Sequence, residues 1–189
     1  MIVKGHDFPK VTLVGALLAD LSLFAGDYTG AERTFDLLAQ AAGRAGRGDR
    51  PGEVVIQTYQ PEHYAIVHAA AQDYRAFYEE EIAYRRLLAY PPAAHMLAIQ
   101  YSGLSEDRTL TCAAADREVL SAMDPKLLLI GPAAARTAKL RDRYRFVLYI
   151  KASKYDTLVR CRDRVEEKQE ENARAGVLVQ FDFDPVAVF

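Results

Sequence analysis

Two consecutive prolines in mid-chain, Pro91 and Pro92 after Tyr90, constrain the fold more than any other feature. Each ring fixes φ and leaves no backbone N–H to donate, so neither a helix nor a central strand runs through the pair. The apolar pattern also resets there. Ahead of the prolines, residues 11–19 (VTLVGALLA) form a continuous apolar run, and Phe35, Leu38, Ala39 and Ala42 fall at helical spacing within 31–42. Residues 54–56 then make a second short apolar run. Strand, helix and strand in that order predict a parallel β-α-β layer with both strands buried. Asp20 stands at the C-terminal end of the first strand, where open α/β sheets usually place functional groups. Gly26, Asp27 and Gly30 mark a loop, and helices are expected over 63–71 and 74–89.

After the prolines the pattern predicts strand 96–102, helix 107–123, strand 127–130, strand 144–151, helix 155–173 and strand 177–183. Within 144–151, Tyr144, Phe146, Leu148 and Ile150 face one way, and Arg143, Arg145 and Lys151 the other. The order β-α-β-β-α-β is the split arrangement of ferredoxin-like folds. The expected fold class is α/β, with a first domain at 1–91 and a C-terminal α+β domain at 92–189.

Composition narrows the function classes. The 189 residues carry 24 basic and 26 acidic side chains, a formal net charge of -2, so any contact with nucleic acid must come from local patches. Cys112 and Cys161 lie far apart without a second ligand at metal spacing, which leaves no zinc knuckle and points to plain thiols in helices. The longest apolar run is too short for a membrane span, and Met1 is followed by Lys4, Gly5, His6 and Asp7 rather than by an apolar leader. The expected setting is cytoplasmic, with no membrane.

Two clusters carry chemistry: Lys4-Gly5-His6-Asp7-Phe8-Pro9, and Gln40-Ala41-Ala42-Gly43-Arg44-Ala45-Gly46-Arg47. A glycine-arginine loop after a helix can be a tight cap with solvated charges. Alternatively, glycines let the backbone approach a ligand, and two arginines three apart at one helix end converge on a phosphate. His6, a lone histidine in a turn, is equally readable as a solvated or capping side chain. A third patch comprises Arg136, Lys139, Arg141, Arg143, Arg145 and Lys151, with Tyr144 and Tyr149 interleaved. It could follow a phosphate backbone, or be a solvated strand face whose aromatic residues fill the core.

The second cluster resembles helicase motif VI and the first resembles motif V of superfamily-two helicases. The wording Met-Ile-x-Lys-Gly-His-Asp-Phe-Pro, then Val-Thr-Leu-Val and Ala-Asp-x-x-Leu, resembles the PriA family of bacterial primosomal replication-restart DNA helicases (primosomal protein N′). Glu32-Arg33-x-Phe35, Val55-Ile56-Gln57-Thr58, Tyr90-Pro91-Pro92, Gly131-Pro132-Ala133 and Asp182-Phe183-Asp184-Pro185 extend the resemblance over the whole chain. It departs at Gly26-Asp27-Tyr28-Thr29, where the family commonly has Pro-Asp-Phe-Arg. That departure puts in doubt any contact made by the family's arginine.

The resemblance implies the C-terminal half of a RecA-like helicase lobe followed by a ferredoxin-like, ribosomal-protein-like C-terminal domain. It implies an ATP-driven three-prime-to-five-prime helicase that remodels stalled forks and initiates primosome assembly in replication restart. Gln40, Arg44 and Arg47 would face the nucleotide, with Arg47 as arginine finger. Gly5 and Asp7 would couple nucleotide state to DNA. Arg143, Arg145, Lys151 and Lys154 are the candidates for DNA or partner binding. Implied partners are forked and single-stranded DNA, single-stranded-DNA-binding protein and other primosome proteins. ATP and Mg2+ would serve the parent enzyme and zinc a part of it not represented here, with none bound by these residues alone. No Gly-x-x-x-x-Gly-Lys-[Ser/Thr] loop occurs in the 189 residues, and Met1 stands inside motif V, so the expectation is a truncated piece that is catalytically inactive alone. Its cut lobe would have a sheet edge open to self-association. The competing readings are a non-catalytic DNA- or partner-docking module, and an unrelated α/β enzyme holding a small phosphate ligand on its glycine-arginine loop.

Overall fold

The structure, a computed structural model, describes residues 11–45, 51–124 and 126–186. It is mixed α/β and divides into two compact units, the first ending at Tyr84 and the second starting at Arg85.

In the first unit, β1 (Leu13–Ala16) leads through a 3₁₀ helix (Ala19–Ala25) to α1 (Gly30–Ala42), then β2 (Glu53–Ile56), α2 (Tyr64–Ala71) and α3 (Tyr74–Leu87), whose last turn enters the second unit. β1 and β2 pair in parallel, with Val14 opposite Val54, so α1 is a crossover helix. Its stripe of Phe35 and Leu38 packs with Ala65, Ile66, Ala69 and Phe77. The rings of Phe35 and Phe77 stack with centroids 4.3 Å apart. At Gly30 only a glycine fits, because a Cβ there would lie 2.6 Å from the carbonyl oxygen of Ser22.

The two strands are not buried as the apolar runs suggested. They alternate between exposed and half-buried positions, and Leu13 is 60% and Val55 51% exposed. Helices cover the Ala16 and Ile56 side, and among the described residues nothing comparable covers the other. The run at 11–19 also yields four strand residues rather than nine. Leu18 turns into the left-handed region at φ 51 and ends the extended stretch.

The second unit contains β3 (His95–Gly103), α4 (Glu106–Met123), β4 (Leu128–Leu140), β5 (Arg143–Ala152), α5 (Tyr155–Glu166), α6 (Gln169–Arg174) and β6 (Val177–Phe183). Its sheet runs β4-β5-β3-β6 with every neighbouring pair antiparallel. Ile99 lies opposite Leu148 on one side and Phe181 on the other. Odd positions of β3 and even positions of β5 therefore share a face, and Leu97, Ile99, Leu148 and Ile150 pack there with Leu120 of α4 and Leu158 of α5. All six are fully buried. Ser105 caps α4 by accepting from the backbone N–H of Arg108.

Two predicted elements differ. The strand expected at 127–130 runs on to Leu140, with register shifts after Ile130 and after Ala134. Gly131-Pro132 reads as a terminator, but on an edge strand a bulge absorbs the missing N–H. The helix expected over 155–173 breaks at Glu167 and Lys168 into α5 and α6. Past the break, the Nζ of Lys168 comes within 3.7 Å of the buried carboxylate of Asp116.

Candidate nucleotide-coupling and DNA-facing sites

The end of α1 carries the part of the glycine-arginine cluster that lies within the described residues. Gln40 is exposed on the last turn and Arg44 half-buried just beyond it. The helix closes with the N–H of Gly43 donating to the Ala39 carbonyl (3.0 Å) and that of Arg44 to Ala41 (3.1 Å). Gly43 is right-handed, at φ -63 and ψ -3, and a Cβ there would meet nothing nearer than the Ala39 oxygen at 3.5 Å. Capping glycines are selected for the left-handed conformation, so the cap does not require a glycine here. Arg47, Gly5, His6 and Asp7 lie outside the described residues.

The loop leading into α1 contains the departure at residues 26–29. Asp27 accepts from the Thr29 backbone N–H (3.0 Å), the Thr29 hydroxyl (2.7 Å) and the Arg33 guanidinium (2.6 Å). Burial alone pushes this carboxyl up, but the Thr29 hydroxyl and Arg33 outweigh it and hold Asp27 below the ordinary aspartate range. The guanidinium that Asp27 binds in this loop is that of Arg33, six residues along.

Asp20, placed by sequence at a functional strand end, does structural work. Its buried carboxylate accepts from the Thr58 hydroxyl and from the Tyr59 backbone N–H at 2.7 Å, tying the end of β1 to the end of β2. Burial raises its pKa and these hydrogen bonds reverse that, leaving the group below the ordinary aspartate value. Nearby, His63 caps α2 through its ring nitrogen, which accepts from the Ala65 N–H at 3.2 Å. Burial lowers the pKa of His63 against the pull of Glu80 and Glu81, so the capping nitrogen stays unprotonated.

The four cations singled out in the second unit divide. Lys151 is buried, with Nζ donating to the Leu88 carbonyl (2.9 Å) and lying 3.3 Å from the centroid of the Tyr90 ring. Burial lowers its pKa. Arg143 is half-buried and held by Ser102, donating to its hydroxyl (3.0 Å) and its carbonyl (2.9 Å). Arg145 is half-buried, and Lys154, at the cap of α5, is exposed. Sequence parity put Lys151 on the solvated face. The segment through Leu88 and Tyr90 covers that face at this point, and no local pattern announced it.

Three further polar features escaped sequence reading because their partners are remote in the chain. Tyr101 donates to Asp116 at 3.0 Å inside the second core, and burial raises both the phenol and the carboxyl. Tyr64 donates to the buried carboxylate of Glu81. Asp184 closes β6 back on β3, accepting from the Met96 N–H at 2.7 Å and facing the His95 ring at 3.2 Å. Cys161 is buried, with its thiol pushed up to about 11 by burial, and Cys112 is half-buried. Among the described residues no three His, Cys, Asp or Glu side chains are placed to hold a metal ion, and no helix is long and apolar enough to cross a membrane.

Comparison with known proteins gives these features a context. Residues 86–186 match the family described as primosomal protein N C-terminal domain. Over 189 aligned residues the chain is 39% identical to replication restart protein PriA of Bacillus subtilis, covering 98% of this chain and 23% of that protein. It is 33% identical to the protein of the same name from Synechocystis and 36% identical to that from Treponema pallidum, in each case along its whole length. The chain spans about a quarter of the length of these relatives.

Proposed function

The chain belongs to the PriA replication restart family, whose C-terminal domain forms its second unit, and from that premise we propose that it acts as the C-terminal part of an ATP-dependent DNA helicase. In this reading the whole enzyme moves three-prime to five-prime, remodels stalled forks in the cytoplasm and starts primosome assembly. The first unit is then the C-terminal half of a RecA-like lobe, a reading supported by the parallel β1-β2 pair and its α1 crossover. The second is a ferredoxin-like docking domain, supported by the β-α-β-β-α-β order and the β4-β5-β3-β6 sheet.

The observation that carries the nucleotide-site assignment is the end of α1. A glycine stands where the backbone does not need one and where a side chain would fit without strain, which is what close approach of a ligand explains. Gln40 and Arg44 stand at that helix end, the sequence places Arg47 three residues on, and these residues would hold the phosphates of ATP. Bound ATP with Mg2+ supplies the phosphoryl group; Arg44 and Arg47 place fixed positive charge where negative charge gathers during its transfer. A guanidinium does this without proton exchange, because it stays charged throughout. Gly5 and Asp7 relay nucleotide state to the DNA strand. Forked and single-stranded DNA, single-stranded-DNA-binding protein and other primosome proteins are the partners of the whole enzyme.

The alternative, a docking module without catalysis, is favoured for the 189 residues alone because their sequence contains no phosphate-cradling loop. Purified chain titrated with forked DNA at several salt concentrations, with ATP turnover read in the same samples, tests both. Salt-dependent binding without turnover is expected. DNA-stimulated ATP hydrolysis by these residues, or no binding of forked DNA at all, contradicts the proposal.

A further inference from the structure

We infer that the β4–β5 hairpin tip is a phosphate-binding arm that docks on the backbone of duplex DNA. This rests on the DNA-binding reading above and narrows the basic patch of the sequence to the hairpin tip, away from Lys151 and Lys154. Residues 136–145 hold five cations, Arg136, Lys139, Arg141, Arg143 and Arg145, against one acid, Asp142, in a chain whose net charge is -2. Arg136, Lys139 and Arg141 are all exposed. The pairing of β5 with β3 ends at Tyr144 opposite Gly103, so residues 140–143 run past the end of β3. The hairpin therefore presents its charge beyond the sheet.

Backbone geometry is a second, independent observation. Leu140 pairs with Arg143, which leaves a two-residue turn of Arg141 and Asp142, both left-handed at φ 50 and φ 61. Such turns favour Asn-Gly or Asp-Gly, because only glycine enters this region without a steric penalty. An arginine at the first of these positions opposes turn stability, and its charge at the outermost point of the arm accounts for it.

Duplex rather than single-stranded DNA follows from the aromatic residues. Single-strand sites stack bases on exposed rings. The one aromatic ring within residues 136–145, Tyr144, packs against the core, and the Nζ of Lys139 lies 5.0 Å from its centroid. The arm offers cations without a stacking platform. Arg143, clamped by Ser102, braces the strand beneath the tip, and the exposed ion pair of Lys139 with Asp142 at 3.5 Å is weak enough for a phosphate to displace.

The test is a fluorescence-anisotropy titration of the full 189-residue chain with blunt duplex DNA, single-stranded DNA of equal length and a poly-glutamate peptide, over a salt series. Replacing Arg136, Lys139 and Arg141 together by glutamine should weaken duplex binding at least about tenfold. It should also reduce the salt slope by about three, one for each phosphate that the variant no longer neutralises. Arg141→Gly alone should leave thermal stability equal or higher while weakening duplex binding severalfold, which separates a role in binding from one in folding. Arg162→Gln with Arg174→Gln, on helices, should change neither value. An unchanged slope in the triple variant, equal losses on single strands, or poly-glutamate competing as well as duplex overturns the arm while leaving the DNA-binding reading intact. Failure of the unaltered chain to bind any DNA overturns both.

Discussion

The two sheets of this molecule handle apolar surface in opposite ways. In the second unit, β3 is flanked on both sides, its core face is sealed by α4 and α5, and the cation that faces the other way, Lys151, is satisfied by a carbonyl and an aromatic ring. In the first, two four-residue strands pair only with each other among the described residues and leave Leu13 and Val55 exposed. Exposed Leu17, Leu21 and Phe24 follow directly after β1. The second unit has what an independent domain needs, while the first has a sheet whose face and edges are uncovered among the described residues.

Core truncation should expose this asymmetry most strongly. Phe77→Ala removes the ring stacked on Phe35 and costs about 3–5 kcal/mol, while Leu148→Ala costs about 2–5 kcal/mol in the second unit. The first unit has little reserve, so Phe77→Ala should abolish amide protection in α1 and α2, whereas Leu148→Ala should leave a cooperative but weakened transition. Hydrogen exchange resolved by segment reads both. Equal residual protection in the two units breaks the comparison.

Association comes next in size. The edges of β1 and β2, unpaired among the described residues, should give concentration-dependent self-association in light scattering, reduced severalfold by Leu13→Lys. A strict monomer at high concentration contradicts this.

Acid should act differently on the two units: in the first, Asp36 is raised by burial and by Glu32, but the two hydrogen-bonded aspartates are lowered. Asp20 and Asp27 are held below the ordinary value of 3.8. Their contribution is complete above that value and drains away as pH falls through their lowered folded values. Asp116 is raised by burial, so protonation relieves a cost in the second unit as pH falls. Spectroscopic titration downward from neutral should therefore unfold the first unit at the higher pH of the two. Simultaneous loss would contradict the assignment.

The smallest effect on stability is expected at Gly43→Ala, within about 1 kcal/mol and toward stabilisation, since the position is right-handed and open. In a full-length family member the same change should cost ATP turnover severalfold. A loss of stability with normal turnover would restore the plain helix-cap reading.

Most of the second unit was legible because strand alternation and helix spacing act locally. β6 begins and ends where the pattern said, and β3 and β5 agree within one residue. What escaped was non-local. β4 hid behind Gly131-Pro132, whose bulge depends on β5 as partner. The exposure of β1 was hidden because an apolar run has the same composition whether or not a second layer covers it. Of the candidate site, Gln40, Gly43 and Arg44 were legible as a spaced motif, and Lys151 lies on the face parity gave it, but the distant segment that covers this face was not legible.

The central claim, that nucleotide chemistry belongs to the first unit and DNA docking to the second, is tested most directly by Arg47→Ala in a full-length family member. Steady-state ATP turnover with and without forked DNA would be measured beside a fork-binding titration. Turnover should fall by about 10³–10⁵, the range typical of arginine fingers, with fork affinity nearly unchanged and incomplete rescue by lysine. Near-normal turnover, or turnover and fork binding lost in parallel, would contradict the claim and make the arginine a DNA or packing contact.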